Sequence, residues 1–267
     1  MTSLPIQELI GRELGTRVCS YDERDAILYA LAVGAHAEDI SLVYEKQLTV
    51  LPTYPLALGL WAVWATAELG AYDVNTTLHV GQQLTVHRGL ESAGSIKTSA
   101  RVDHVWDKGS AALVDIVVTS DVFDAVYTIF VPGGGGFGGE RGSSATAAPE
   151  TEPTLTTSFT TRADQAALYR LTGDRHPVHI DPAAAAASGF NRPILHGLCT
   201  LGCAALTAAR ALDVDPASLK ELTARISAPV FPGDQVTLDL WSAPDSTLFR
   251  ATDSADKAVL SGSLTFG

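Results

Sequence analysis

The sequence predicts an α+β protein made of two similar units, each with a long apolar helix covered by an antiparallel sheet. Three observations indicate this fold. A Gly- and Ser-rich stretch divides the chain, short motifs recur in the same order on both sides of it, and apolar helices precede strands in each half. A sheet wrapped round such a helix would bury the apolar surface of the helix.

The dividing stretch runs from Val131 to Thr154. It is rich in Gly, Ser, Ala and Pro and has no hydrophobic period, as is typical of a connection. We therefore expect an N-terminal unit over 1–132, a linker over 133–153 and a C-terminal unit over 154–267.

Two pairs of short motifs indicate that the units arose by duplication. Gly81–Val86 (GQQLTV) resembles Gly233–Leu238 (GDQVTL). Further upstream, Asp25–Leu31 resembles Asp164–Leu171 with a shift of one residue. The motifs follow the same order in both halves, which favours a repeat over chance similarity.

Hydrophobic spacing places the elements within each unit. Helical spacing predicts a short and then a long, Ala-rich helix in each half, at Arg24–Leu31, Leu56–Leu69, Asp164–Leu171 and His196–Leu212. β-Branched residues between turn signals predict eight strands, at Gln83–Val86, Ser95–Val105, Ser110–Thr119, Val122–Val131, Ala224–Ala228, Gln235–Ser242, Thr247–Asp253 and Ala258–Phe266.

Composition excludes several classes of function. The formal net charge of the 267-residue chain is -12, so nucleic-acid binding is not expected. The cysteines Cys19, Cys199 and Cys203 lack the further Cys or His pairs of a zinc site, and we expect no metal and no cofactor. Neither a signal peptide nor a membrane-spanning segment is evident, which predicts a cytoplasmic protein that does not bind membranes.

The most informative segment is Tyr169–Pro182 (YRLTGDRHPVHIDP). Pro177 cannot donate a backbone hydrogen bond, so the preceding helix should end near Gly173. Asp174 and His179 then lie on an irregular loop and can converge. Such a pair can act as a general acid and a general base around one water. A turn-capping Asp and a structural His remain the alternative.

The loop that precedes the second long helix ends in His196-Gly197. A helix start exposes free N–H groups at the positive end of the helix dipole, and Gly197 allows a ligand to approach the backbone closely. This arrangement suits an oxyanion hole for a thioester carbonyl. An ordinary junction between loop and helix is the alternative.

These segments resemble the hydratase 2 motif of MaoC-like dehydratases, including the hydratase 2 region of peroxisomal multifunctional enzymes of type 2. The resemblance rests on Tyr169–Pro182 and on Gly189–Thr200 (GFNRPILHGLCT). Shorter matches extend it over nearly the whole chain, at Ser20–Asp25, Leu51–Tyr54, Gly135–Gly139 and Ala228–Gly233.

The resemblance implies a double hot-dog fold in which only the C-terminal unit is catalytic and the N-terminal unit binds the acyl chain. It also implies an (R)-specific 2-enoyl-CoA hydratase, which runs in reverse as a (3R)-hydroxyacyl-CoA dehydratase and works as a homodimer. Asp174 would protonate the α carbon, His179 would activate water, and the N–H of Gly197 would bind the thioester oxygen. Tyr169, His196 and Glu45 would support the site.

One position departs from the family pattern: His176 stands where the family usually has Asn. A His could donate a similar hydrogen bond, or it could be charged and lower the pKa of Asp174. We expect retained activity with a changed pH profile.

Candidate contacts to CoA are Arg192, Pro229 and Gly233.

Three other functions remain open at this stage. A dehydratase acting on carrier-protein thioesters would need a basic docking patch, which this acidic chain disfavours. A hot-dog thioesterase would not need the Asp174–His179 pair. A non-catalytic acyl-CoA-binding subunit would be expected to have lost that pair. The sequence leaves the acyl group and the physiological direction open.

Overall fold

Ten strands form one sheet in the computed structural model, which describes residues 4–142, 149 and 151–267. The strands of the N-terminal half are β1 (Glu13–Tyr21), β2 (Leu78–Val86), β3 (Gly94–Asp107), β4 (Ala111–Thr119) and β5 (Phe123–Pro132). Those of the C-terminal half are β6 (Leu155–Thr160), β7 (Leu219–Ile226), β8 (Gln235–Ser242), β9 (Thr247–Thr252) and β10 (Ala258–Phe266).

The strand order shows the internal repeat. It is β1-β3-β4-β5-β2 in the first half and, read from the other edge, β6-β8-β9-β10-β7 in the second. The halves join where β2 pairs antiparallel with β7, from Gly81 opposite Arg225 to Thr85 opposite Glu221. Two units of identical topology in one antiparallel sheet are a double hot-dog, so the predicted fold class is confirmed.

Seven α-helices are assigned in the described residues. They are α1 (Glu23–Ala32), α2 (Ile40–Val43), α3 (Pro55–Gly59), α4 (Trp61–Glu68), α5 (Gln165–Tyr169), α6 (Pro182–Ala187) and α7 (Gly197–Ala211). Helix α4 packs on the strands of the first half and α7 on those of the second. One hydrophobic core runs through both halves. None of these helices has the length and apolar character needed to cross a bilayer.

The long helix predicted at Leu56–Leu69 is broken after Gly59, and the break has a local cause. The buried Tyr127 hydroxyl on β5 donates to the carbonyl of Leu56 at 2.8 Å. In a straight helix, the N–H of Leu60 would donate to that carbonyl. It donates instead to the carbonyl of Ala57, at 3.4 Å. A Cβ at Gly59 would lie 2.5 Å from the Tyr127 oxygen, so only glycine fits there.

Strands β1 and β6 were not predicted, and both lie at edges of the sheet. Most residues of β1 are exposed, and β6 alternates between half-buried and exposed positions with no fully buried residue. Sequences of this kind lack the apolar alternation by which a strand is recognised.

The Gly-rich segment that follows β5 is held in place by a carboxylate. Asp107 accepts hydrogen bonds from the backbone N–H groups of Gly109, Gly136 and Gly138, each at 2.8 Å. The bonds from Gly136 and Gly109 lower the pKa of Asp107 to about 2. Positions 143–148 and 150 of the predicted linker lie outside the described residues, and the domain boundaries at 132 and 154 stay predictions.

Candidate active site

The loop between α5 and α6 contains the two titratable residues of the predicted pair. A 3₁₀ turn continues α5 over Arg170–Thr172 and ends at Gly173, whose φ of 138° suits glycine. A second 3₁₀ turn, Pro177–His179, follows after three residues in extended or bent conformation. The two turns fold the loop back on itself, so residues five positions apart meet at its inner side.

Asp174 and His179 face each other there. The Nε2 atom of His179 lies 4.0 Å from Oδ2 of Asp174, and both side chains are mostly buried. Nδ1 of His179 lies 2.9 Å from the carbonyl of Ile194. A carbonyl only accepts, so Nδ1 carries the proton and Nε2 of the neutral ring is free to accept one. The other carboxylate oxygen, Oδ1, accepts from the backbone N–H of His176 at 3.1 Å.

His196 supports both members of the pair from beneath. Its ring stacks on that of His179, with centroids 3.7 Å apart and planes inclined by 25°. Its Nε2 lies 3.1 Å from the backbone carbonyl of Asp174. Tyr169 packs below it, with ring centroids 4.8 Å apart. His196 and Tyr169 are each 1% exposed, so they hold the pair in position from the core.

Burial and neighbouring charges set the ionisation of this cluster. Burial lowers the pKa of His196 to about 3, and it lowers the pKa of His179 below the usual histidine value. Both imidazoles are therefore neutral at pH 7. Burial raises the pKa of Asp174, but the facing imidazoles of His196 and His179 and the N–H of His176 outweigh it, so the net shift is downward.

The N-terminus of α7 opens beside the pair. His196 caps the helix with extended backbone and makes no side-chain cap bond, so the first N–H groups point out of the helix. The would-be Cβ of Gly197 lies 2.8 Å from Cδ1 of Ile226 on β7. Because residue 197 is glycine, the first turn of α7 can lie close both to strand β7 and to a bound carbonyl.

A cavity of about 230 Å³ connects these groups. Asp174, His176, His179 and Gly197 line it from the C-terminal half. The opposite wall comes from the N-terminal half and is largely apolar, formed by Leu60, Val63, Trp64, Val74, Thr77, Leu78, His79, Val80 and Ile129. The site is therefore built across both halves, with Asp174, His176 and His179 on one side and a largely apolar wall that includes His79 on the other.

Comparison with known proteins agrees with this arrangement. Residues 19–131 match the model of the MFE-2 hydratase 2 N-terminal domain, and residues 144–261 match that of the MaoC like domain. The chain is 34% identical to 3-hydroxyacyl-thioester dehydratase Y of Mycobacterium tuberculosis, over 94% of each protein. The chain belongs to the MaoC-like hydratase 2 family. The resemblance drawn from its motifs is thus confirmed.

Two further comparisons extend this result. The peroxisomal multifunctional enzyme type 2 of Drosophila melanogaster is 36% identical over 91% of the chain. The chain spans 45% of the length of that relative. The crystal structure of a MaoC-like dehydratase from Phytophthora capsici superposes with a TM-score of 0.87 at 26% identity, over 99% of this chain and 98% of the other.

Not all the predicted residues of this MaoC-like protein reach the cavity. Pro229 lines it, whereas Glu45 is exposed and does not. Arg192 is also exposed, and its guanidinium pairs with Asp234 at 3.0 Å. Gly233 occupies a turn with φ of 95° before β8. Glu45, Arg192 and Gly233 are thus outside the cavity lining, and the supporting role of Glu45 and the CoA contacts of Arg192 and Gly233 stay predictions.

The resemblance implied an acyl-binding N-terminal unit, but no individual residue of this wall was predicted, and His79 is the clearest case. Nε2 of His79 donates to the carbonyl of Gly81 at 2.9 Å, and burial lowers its pKa to about 4. Trp64 belongs to a helix that was predicted only as a buried one. No local signal separates a residue that faces the core from one that faces a cavity shared with the other half.

Asp174, His179 and His196 also offer three ligand atoms within 4.8 Å of one another. The two imidazoles are stacked, however, with planes only 25° apart. With ring centroids 3.7 Å apart, an ion at the roughly 2.0–2.1 Å of a metal–nitrogen bond from both rings would lie out of the plane of at least one ring, away from its lone pair. The cluster fits acid–base chemistry better than metal binding.

Proposed function

We propose that the protein is an (R)-specific 2-enoyl-CoA hydratase. It adds water reversibly across the C2–C3 double bond of trans-2-enoyl-CoA, with the hydroxyl going to C3 and the hydrogen to C2. The reverse reaction is the dehydration of (3R)-hydroxyacyl-CoA. The observation that carries this proposal is the gap of 4.0 Å between Asp174 and His179 beside the free N-terminus of α7.

Each group has a task that its surroundings support. A gap of this size is too long for a direct hydrogen bond, but both side chains can hold one water. The unprotonated Nε2 of His179 accepts the proton that this water loses as its oxygen adds to C3. That proton passes from His179 to the carboxylate of Asp174, and Asp174 then delivers it to C2. The pair returns to its starting state, a carboxylate facing a neutral imidazole.

The cavity positions the rest of the substrate. The N–H groups at the start of α7 stabilise the negative charge that develops on the thioester oxygen when C3 is attacked. The apolar wall from the N-terminal half holds the acyl chain and excludes bulk water. The reaction needs no cofactor besides the CoA of the substrate. We also expect the chain to form a homodimer, which its mass in solution would test.

The names of the relatives bear on two points, the kind of thioester substrate and the cellular compartment. Enzymes named enoyl-CoA hydratase 2 and 3-hydroxyacyl-thioester dehydratase are both among them, so CoA and carrier-protein thioesters are the two substrates to compare. Some relatives are named peroxisomal, and the cytoplasmic location stays a prediction.

The test is a hydration assay with crotonyl-CoA and a longer trans-2-enoyl-CoA, followed by loss of the enoyl thioester absorbance. A (3R)-specific coupling dehydrogenase reads the product. We expect hydration, (3R) product, and loss of rate in Asp174→Asn and His179→Ala. Asp121→Asn and His87→Ala, at exposed ion pairs, are matched controls.

The other outcomes each identify a different function. Release of free CoA thiol would indicate a thioesterase. Hydration of a carrier-protein thioester alone would indicate the dehydratase of a synthetic pathway. Binding of acyl-CoA by folded protein without turnover would indicate a non-catalytic subunit. Each of these results would overturn the proposal.

A further inference from the structure

Three short helices of the C-terminal half begin in the same way. In each, the residue before a proline accepts a hydrogen bond from the backbone N–H two residues further on. Asp181 does so at 2.8 Å and Asp215 at 2.9 Å, each through a carboxylate oxygen. His176 does so at 3.2 Å through its ring nitrogen Nδ1. This imidazole therefore occupies a place that carboxylates take elsewhere in the chain.

The two kinds of cap respond differently to protons. An exposed carboxylate remains an acceptor at any pH well above 4. An imidazole accepts through Nδ1 only while the ring is neutral, because both nitrogens of the protonated ring are donors. In the protonated ring, the Nδ1–H of His176 and the backbone N–H of Val178 would be two donors facing each other. The cap would then be lost.

The helix that this cap begins is the 3₁₀ turn Pro177–His179, which carries the proposed base. The same residue also reaches the proposed acid, because the backbone N–H of His176 donates to Oδ1 of Asp174 at 3.1 Å. His176 thus holds His179 through its ring and Asp174 through its backbone. The cap on the turn of His179 depends on the His176 ring remaining neutral.

The surroundings of the ring favour the neutral form. It stacks on Trp64 of α4, from the other half, with centroids 5.9 Å apart and planes 29° apart. The rings of His176 and His179 pack edge-on, with centroids 6.1 Å apart. The Nε2 atom of His176 is buried and has no hydrogen-bond partner among the described residues. Burial lowers the pKa of His176, against the opposing effects of Asp174, the Val74 carbonyl and Asp73.

We propose that His176 is a positioning residue whose neutral imidazole caps the turn of His179. Acidification then lowers the activity of the hydratase through two protonations, of His176 and of His179. In a site where only the base His179 titrated, there would be one. The inference rests on the proposed hydration reaction. An Asn at this position, which the family usually has, offers an amide oxygen as the cap and does not titrate.

The kinetic test is the acidic limb of log kcat/KM against pH, measured with crotonyl-CoA below pH 6.5. We expect the wild-type limb to be steeper than one where His176 titrates, because loss of the cap adds a fall of about tenfold to that from protonation of His179, and a slope of about one throughout for His176→Asn. His87→Asn, at an exposed histidine, is the matched control and should keep the slope of the wild type. His176→Ala lacks any cap, and at neutral pH its rate should be roughly tenfold below that of His176→Asn.

A second readout does not depend on activity. NMR of protein with ¹⁵N-labelled histidine should show that the His176 ring has an unprotonated Nδ1 and titrates below the usual histidine pKa, as the rings of His79 and His196 also should. Its signal should be absent in His176→Asn, which assigns it among the seven histidines.

Equal slopes for the wild type and His176→Asn would overturn the inference, as would a protonated Nδ1 at neutral pH. If the wild type hydrates no thioester, the proposed function fails, while the NMR experiment still decides whether the ring is the cap.

Discussion

The contact between Gly197 and Ile226 gives a direct test of the proposed oxyanion hole. In Gly197→Ala, the new Cβ would lie 2.8 Å from Cδ1 of Ile226, whereas the next two atoms of that side chain would lie at 3.4 and 3.7 Å. Only the terminal methyl group is therefore too close. Relief requires a movement of about 0.6 Å, the difference between 2.8 Å and ordinary contact at 3.4 Å.

That movement is comparable to the tolerance of a catalytic site, which is about 0.5 Å. Because the methyl group ends a flexible side chain, the fold should survive the substitution. The start of α7 should shift relative to the thioester, however, and kcat should fall by about 10- to 100-fold, or roughly 1.4–2.7 kcal/mol. The measurement is kcat for hydration, with circular dichroism and thermal unfolding to show that the protein is folded.

Ile226→Val supplies the matched control, because it removes the one methyl group in conflict. The double variant Gly197→Ala/Ile226→Val should regain most of the lost kcat, although the valine alone costs about 0.5–1.5 kcal/mol of stability. An unchanged kcat in Gly197→Ala would refute the placement of the oxyanion at this N–H. A loss that the valine does not rescue would refute the steric explanation.

Three further predictions follow from the structure. Asp174→Asn and His179→Gln should each lower kcat by about 10²- to 10⁴-fold, and the double variant should lose little more because both act on one water. A fully additive loss in the double variant would contradict the shared water. The folded state resists protonation of His196, so stability holds above pH 6.5 and falls below it, by about 2 kcal/mol at pH 5 relative to pH 7. Urea unfolding at both pH values, with His196→Gln for comparison, measures this change, and an equal change in the variant would count against it. Gly59→Ala should destabilise the protein by about 1–3 kcal/mol, because its Cβ would meet Tyr127. Thermal unfolding measures it, and Gly59→Ala in a Tyr127→Phe background should lose less.

The sequence predicted the loop of the proposed catalytic pair because its determinants are local. Gly173 ends a helix, Pro177 begins a turn, and Asp174 and His179 are brought together by those two events alone. The individual residues of the apolar wall could not be predicted in this way. Trp64 and His79 reach the cavity only because β2 pairs with β7 across the two halves, and such a pairing leaves no periodicity in the sequence.

Two errors in the predicted fold have the same origin in long-range contacts. Helix Leu56–Leu69 has an unbroken apolar pattern, and the break at Leu60 depends on Tyr127, which is distant in sequence. Strands β1 and β6 bury little and are recognisable only by the partners β3 and β8. Patterns read from sequence describe burial and local turns. They do not show to which carbonyl a hydroxyl distant in the sequence will donate a hydrogen bond.

The ionisation of Asp174 bears directly on its proposed role as the acid. A general acid works best with a pKa near the pH of the reaction, whereas the pKa of Asp174 is lowered by its neighbours. Burial is the one influence that raises it, and an acyl chain in the cavity adds to burial by displacing water. Transfer of a proton from water to His179 creates an imidazolium 4.0 Å away, which can then protonate the carboxylate. In the proposed reaction, substrate binding and the proton that His179 accepts would therefore together make Asp174 the acid.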